Sequence, residues 1–340
     1  MTTVDNQPVL RVVDLSLDYL TRQGPVQAVQ SVSFELGRGQ SLGLVGESGC
    51  GKTSIANCLM RLLPDNGQLT AGQVVLEGQD LLLLSDEEMR HFRWRRMAMV
   101  FQAAMNALDP VYRVGQQIVE AIEAHGVEET VADARERSAR LFRMVGLDPQ
   151  LMDRYPHEFS GGMRQRAVIA MALACDPAVI IADEPTTALD VIVQDRILRE
   201  LKAVQQELRM GMIYISHDIG VVAEVTDRIG VMYAGRLVEL GDTADVFRAP
   251  MHPYTAALMS SFPSISGEKH ELETLPGEPP NLANPPAGCP FHPRCAYATE
   301  ECRQEFPPQA QRGSQWAACW HPMDGADVVM DMQDKLDIIG

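Results

Sequence analysis

The chain has 340 residues, 46% of them hydrophobic, enough to bury a large core in one domain with an appendage or in two domains. Its 29 Lys and Arg stand against 46 Asp and Glu, a net charge of −17 that opposes unspecific attraction to nucleic acid or an anionic lipid surface, so any membrane contact is expected to run through a protein partner. No stretch reaches the roughly 18 apolar residues that span a bilayer, and Met1 to Arg11 has no basic segment followed by an apolar core, which predicts a protein that stays in the cytoplasm.

In chain order, Val9 to Leu17, Val32 to Leu36 and Ser41 to Val45 read as short strands, broken by Gly24, Pro25, Gly37 and Gly39. Helix formers dominate from Lys52 to Leu63, and between Gly115 and Gly146 the spacing of Ile118, Val119, Ile122, Leu141 and Val145 predicts amphipathic helices. Apolar runs then return at Val179 to Ala182, Met212 to Ile215 and Ile229 to Tyr233, separated by helical stretches, the pattern of a parallel sheet with covering helices. After about Arg248, prolines from Pro250 to Pro293 break every long element, predicting a small irregular region. No internal repeat is present, so the chain is not two fused copies of one unit.

The strand Ser41 to Val45 leads into Gly46-Glu47-Ser48-Gly49-Cys50-Gly51-Lys52-Thr53, a phosphate-loop pattern in the right context. The glycines let the backbone turn tightly and bring its N–H groups onto phosphate oxygens. Lys52 supplies a charge to the β and γ phosphates, Thr53 a hydroxyl to Mg²⁺, and the helix starting at Lys52 its positive end. The competing reading, a flexible glycine turn, does not account for strand, loop, Lys-Thr and helix in that order. Cys50 reads as a spacer, although a thiol beside Lys and a helix start is placed for reactivity.

A second element, Val179 to Pro185, is an apolar strand ending in Asp183 and Glu184. Beside a phosphate loop these acids suit metal-dependent phosphoryl chemistry: Asp183 holding Mg²⁺ directly or through water, Glu184 polarising the attacking water. Alone they would read as a solvated strand end. About twenty residues earlier, Ser160-Gly161-Gly162-Met163-Arg164-Gln165-Arg166 opens a helix expected to run from Met163 to Cys175, with Ser160 as its cap and backbone N–H groups facing an anion.

With these motifs the chain resembles, over about residues 9–245, the ABC transporter ATPase family, whose Ser-Gly-Gly signature is matched from Ser160, with Phe159 in place of the usual Leu and Met163 where Gln is common. The resemblance implies an α/β fold: a P-loop cassette over residues 1–248, with a β-rich N-terminal part, a RecA-like parallel core and a helical subdomain at about 103–176. It also implies ATP binding by Tyr19 stacking on adenine, by Gly46, Ser48, Gly49, Cys50, Gly51, Lys52, Thr53 and Ser54, and by Gln102 and Asp183, with Mg²⁺ held through Thr53, Gln102 and Asp183. Glu184 and His217 are the implied catalytic pair. Ser160, Gly161, Gly162, Met163 and Asp190 would contact ATP held by a second cassette, so one chain carries two half-sites.

Three further segments resemble the importers of oligopeptides, dipeptides and nickel: Phe101 to Tyr112, where a permease helix docks; His252-Pro253-Tyr254 followed by Leu275 to Pro280; and Cys289 to Cys295. By this resemblance the chain powers import through ATP-driven closure, at the cytoplasmic face of the membrane, with two permease subunits, a second cassette chain (a heterodimer over a homodimer) and, indirectly, an extracytoplasmic solute-binding protein, and with no nucleic-acid partner. The rival is a soluble ABC-type ATPase with a non-membrane partner, which would need a coiled-coil insertion, a duplicated cassette or a basic surface.

Four of the seven cysteines, Cys289, Cys295, Cys302 and Cys319, fall in the extension 249–340. Their spacing does not choose between a [4Fe–4S] cluster, Zn²⁺ and ordinary buried thiols. The resemblance implies the cluster, with His292 and His321 as alternative zinc ligands.

Overall fold

In the computed structural model, which describes residues 7–101, 107–128, 130–186, 190–260, 275 and 277–324, the N-terminal alternation folds as a long hairpin. Strand β1 (Leu10–Thr21) buries Leu10, Val12, Leu15 and Leu17, and pairs with β2 (Gly24–Leu36). The Gly24-Pro25 pair, expected to break a strand, is the mouth of this hairpin: Thr21 pairs with Gly24 and Leu20 with Pro25. Next come β3 (Ser41–Val45), α1 (Lys52–Met60), β4 (Gly67–Leu76) and β5 (Gln79–Asp80), and β4 and β5 complete an antiparallel sheet in the order β2-β1-β4-β5. The sequence reading missed β4, of which only Val74 and Leu76 are buried, so its alternation is faint.

After α2 (Asp86–Phe92), whose Ser85 and Glu88 form a reciprocal capping box, β6 (Met97–Val100) enters the central sheet. Helices α3 (Val114–Ala124), α4 (Val131–Met144) and α5 (Gly161–Ala172) follow, then β7 (Val179–Asp183), α6 (Val191–Leu208), β8 (Gly211–Ser216), α7 (Ile219–Val225), β9 (Arg228–Tyr233) and β10 (Arg236–Asp242). Strands β9-β3-β8-β7-β6 are all parallel, and β10 runs antiparallel to β9. The parallel strands read as continuous apolar runs because both faces are covered. Ile180 and Ala182 of β7 join the core under α3 to α6, while Val179 and Ile181 face the core shared with α1 and the N-terminal sheet.

The extension continues this sheet. After α8 (Thr243–Arg248) and α9 (Pro253–Ser260), the short α10 (Glu300–Gln304) precedes β11 (Gln309–Arg312) and β12 (Gln315–Ala318), and β12 pairs with β10. Glu239 of β10 is fully buried and accepts from the Met251 and His252 N–H groups and from Gln315 Nε2, at 2.7, 2.9 and 2.6 Å. Burial pushes its carboxyl above the usual range, and these three donors offset part of that. Among the described residues no helix is long and apolar enough to cross a membrane.

Candidate nucleotide site

The sheet's parallel geometry gathers the expected residues, because β3, β7, β8 and β6 all end on one edge, the edge where parallel sheets place their ligands. After β3, Gly46, Gly49 and Gly51 adopt φ of 150°, 80° and 105°. A Cβ on Gly46 would lie 2.2 Å from the Met232 carbonyl oxygen and one on Gly51 2.3 Å from that of Ala28, so both are glycine for space as well as for backbone angle. Lys52 is buried, its Nζ donating to the Gly46 and Glu47 carbonyls at 2.7 and 3.0 Å. Cys50 lies in the same loop, and burial outweighs Lys52 and raises its thiol pKa, which favours the spacer role over a reactive one. Gly51 caps α1 without a side-chain bond, leaving that helix start open to an anion, with Ser48, Thr53 and Ser54 flanking it.

Asp183 ends β7 almost completely buried. Burial raises its pKa, and a bond from the Thr53 hydroxyl opposes that rise. Among the described residues its Oδ1 has no hydrogen-bond partner. A buried, unpartnered carboxylate oxygen beside a threonine hydroxyl fits a hard, oxygen-seeking cation such as Mg²⁺. The next residue, Glu184, has φ 47°, a strained angle for a side-chain-bearing residue, and its N–H donates to the Ile215 carbonyl at 2.9 Å. That bond fixes the end of β7 against β8. His217, directly after β8, places Nδ1 2.9 Å from Glu184 Oε1, so the two expected catalytic residues meet. Tyr19 reaches α1, its hydroxyl donating to Ser54 Oγ at 3.2 Å.

Ser160 caps α5, accepting from the Met163 N–H at 3.3 Å, and the helix starts at Gly161, two residues earlier than expected. Gly162 lies where a Cβ would come 2.8 Å from Val193 Cγ1 on α6, so a glycine there allows α5 to approach the first turn of α6. Asp190 caps that turn, accepting from the Val193 N–H at 2.9 Å. Val191 and Ile192 beside it are 80% and 83% exposed, an apolar pair that no described residue covers. Met163 packs, half-buried, against the core under the helices. Gln102 lies outside the described residues.

Cys289, Cys295, Cys302 and Cys319 line one small enclosed cavity, together with Phe291, Tyr297, Trp320, His292 and His321. All four thiols are free, and burial pushes Cys289 up to about 11 and Cys319 up to about 12. The donors are of the soft type that suits iron or zinc. Among the described residues, however, no three His, Cys, Asp or Glu side chains converge as a metal site. His292 Nδ1 is 2.9 Å from the Cys289 carbonyl, and His321 Nε2 is 2.9 Å from Thr299 Oγ1.

The sequence reading gave no role to Glu47. Its carboxylate is gripped by both terminal nitrogens of Arg294, at 2.6 and 3.0 Å, and its N–H donates to the Tyr254 hydroxyl at 3.0 Å. Both partners belong to segments singled out only as family features, and nothing in linear spacing tied them to the loop.

Comparison with known proteins agrees with this geometry. The ABC transporter profile matches residues 29–187, and that of the oligopeptide/dipeptide transporter C-terminal region matches residues 238–302. The chain is 45% identical over 318 residues to the dipeptide transport ATP-binding protein DppD of Bacillus subtilis, covering 92% of this chain and 95% of that one. It is 44% identical over 319 residues to the oligopeptide transport ATP-binding protein OppD of Salmonella typhimurium, covering 93% and 94%. Among solved structures, a dimeric ATP-binding cassette, MJ0796, in a post-hydrolysis state bound to ADP and Pi superposes with a TM-score of 0.62 at 25% identity, covering 69% of this chain and 98% of that chain. With the phosphate loop, paired acids and capped signature helix in place, and relatives matching along nearly the whole length, the chain belongs to the ATP-binding subunits of the oligopeptide and dipeptide ABC transporters, a family of ATPases.

Proposed function

We propose that this chain binds and hydrolyses ATP as half of a cassette pair that powers import of peptides, or of a related small solute such as nickel, through two permease subunits at the cytoplasmic face of the membrane. The observation that carries the reading is the Glu184–His217 pair, 2.9 Å apart, on the sheet edge that also bears the phosphate loop and the orphaned Asp183 oxygen. Lys52 and the loop N–H groups bind the triphosphate, and Tyr19 stacks on the base. Thr53, Asp183 and Gln102 would hold Mg²⁺, which would supply charge neutralisation for phosphoryl transfer. Glu184 takes the proton of the attacking water as general base, and His217 orients that carboxylate and the γ phosphate.

The exposed Val191-Ile192 pair beside Asp190 and the signature cap at Ser160 supports closure against a second cassette, with each signature meeting the partner's ATP. ATP that touches both chains only when closed favours the closed state by its differential affinity. For permease docking the support is local. Gln117 of α3 accepts from the Asp109 N–H and donates to the Asp109 and Tyr112 carbonyls, which leaves Val111 and Tyr112 70% and 49% exposed. The cassette spans residues 1–248 and the extension 249–340. For the cysteine cavity, a [4Fe–4S] cluster is favoured over zinc, supported by the four thiols that line it. Anaerobically purified protein should carry iron and acid-labile sulfide, and protein with neither, or with zinc alone, sinks that part.

The test of the site is Glu184→Gln. Turnover should fall about 10²–10⁴-fold, the usual contribution of a general base, while ATP affinity holds. Full turnover in that variant removes Glu184 from its role.

A further inference from the structure

A loop built to receive a triphosphate here carries a carboxylate of its own, Glu47, next to Gly46. Left to itself that charge would oppose the nucleotide. In the fold it is taken up by Arg294, which sits between Cys289 and Cys295 and is 247 residues away in sequence. The grip is bidentate, Nη1 to Oε2 and Nη2 to Oε1, the geometry that fixes direction as well as charge. The Arg294 side chain is only 5% exposed, its Nη1 lies 3.3 Å from the Tyr233 hydroxyl, and its guanidinium carbon is 5.8 Å from the Tyr233 ring centre.

The remaining polar groups of Glu47 are held as well. Its N–H donates to the hydroxyl of Tyr254, which is fully buried, and its carbonyl accepts from Lys52 Nζ at 3.0 Å. Phe291 packs on both tyrosines, with ring centres 5.3 and 5.4 Å away, so two stretches of the extension and β9 meet around one loop residue. Lys52 must leave the Gly46 and Glu47 carbonyls to reach phosphate. The loop then keeps its shape only through contacts that do not involve Lys52, and for Glu47 these are the Cys50 N–H within the loop and, from outside it, Arg294 and Tyr254.

Resting on the reading of this edge as an ATP site, we propose that Arg294 is a positioning residue for the phosphate loop: from the cysteine-bearing extension it neutralises Glu47 and draws that carboxylate away from the triphosphate. The extension thereby sets the loop's affinity for ATP. The alternative is a salt bridge that only stabilises the fold.

The two are separated by steady-state ATPase kinetics on the assembled transporter. Arg294→Gln should raise KM for ATP at least about fivefold, the lower end of coupling between linked sites, with kcat within about twofold, and adding Glu47→Gln should return KM close to wild type. A purely structural bridge predicts a lowered unfolding midpoint with KM unchanged in Arg294→Gln. An unchanged KM in Arg294→Gln, or a rise that Glu47→Gln fails to reverse, overturns the proposal. Should Arg294→Gln not fold, Arg294→Lys, which keeps the charge and loses the fork, carries the test: an intermediate KM supports the proposal and an unchanged one overturns it. A wild-type complex without ATP turnover is a different failure, that of the nucleotide site itself, and takes the proposal with it.

Discussion

The nucleotide edge and the C-terminal extension are built by opposite means. The first is set by backbone: parallel strands end together, glycines adopt angles that side chains resist, and Asp183 and Glu184 arrive by strand position alone. The second has few long elements and is held by side chains, with Glu239 binding Met251, His252 and Gln315, and Arg294 and Tyr254 binding Glu47. A site set by backbone tolerates little change within it, whereas a region held by side chains can be loosened one bond at a time.

The largest effect should come from the backbone side. Gly51→Ala forces a side chain to φ near 105° and against the Ala28 carbonyl, and strain of order 1–3 kcal/mol before the clash is counted should weaken ATP binding at least about tenfold in a nucleotide titration. Gly49→Ala sharpens the point: no atom lies within 4 Å of its Cβ position, so only the φ of 80° opposes it and the loss should be smaller. Equal losses at the two positions would mean that space plays no part.

On the extension side, Tyr254→Phe removes the acceptor of the Glu47 N–H. An orphaned buried donor costs about 1–3 kcal/mol, and the loss should appear as a higher KM for ATP with kcat nearly unchanged. A fall in kcat alone would place Tyr254 elsewhere in the cycle. The smallest effect is expected at Ser160→Ala, which removes the α5 cap bond and should lower stability by about 1 kcal/mol, seen as a shifted urea midpoint. Ser160 would also lose its contact to the partner's ATP, so turnover should fall more than stability does. A loss of stability alone would reduce Ser160 to a cap.

The same contrast explains what could be read from sequence. The phosphate loop, the acids after β7 and the signature were legible because chemistry dictates residue types at fixed spacing along one stretch of chain. The parallel strands β3, β7, β8 and β9 were legible because burial on both faces leaves unbroken apolar runs. Strand β10 was missed because Glu239 looks like a surface residue, and donors from the extension, among them the Met251 and His252 N–H groups and Gln315, make its burial tolerable. Strand β6 is four residues long, too short for periodicity to show. The Glu47–Arg294 pair was invisible because spacing carries no information across 247 residues.

The most direct test of the central claim, that this edge powers a permease, is affinity purification of the tagged chain from detergent-solubilised native membranes, with every bound protein identified. The account predicts two permease chains and a second cassette protein. Recovery from the soluble fraction alone, without permeases, would contradict it and leave an ATP-driven pair acting on a soluble partner.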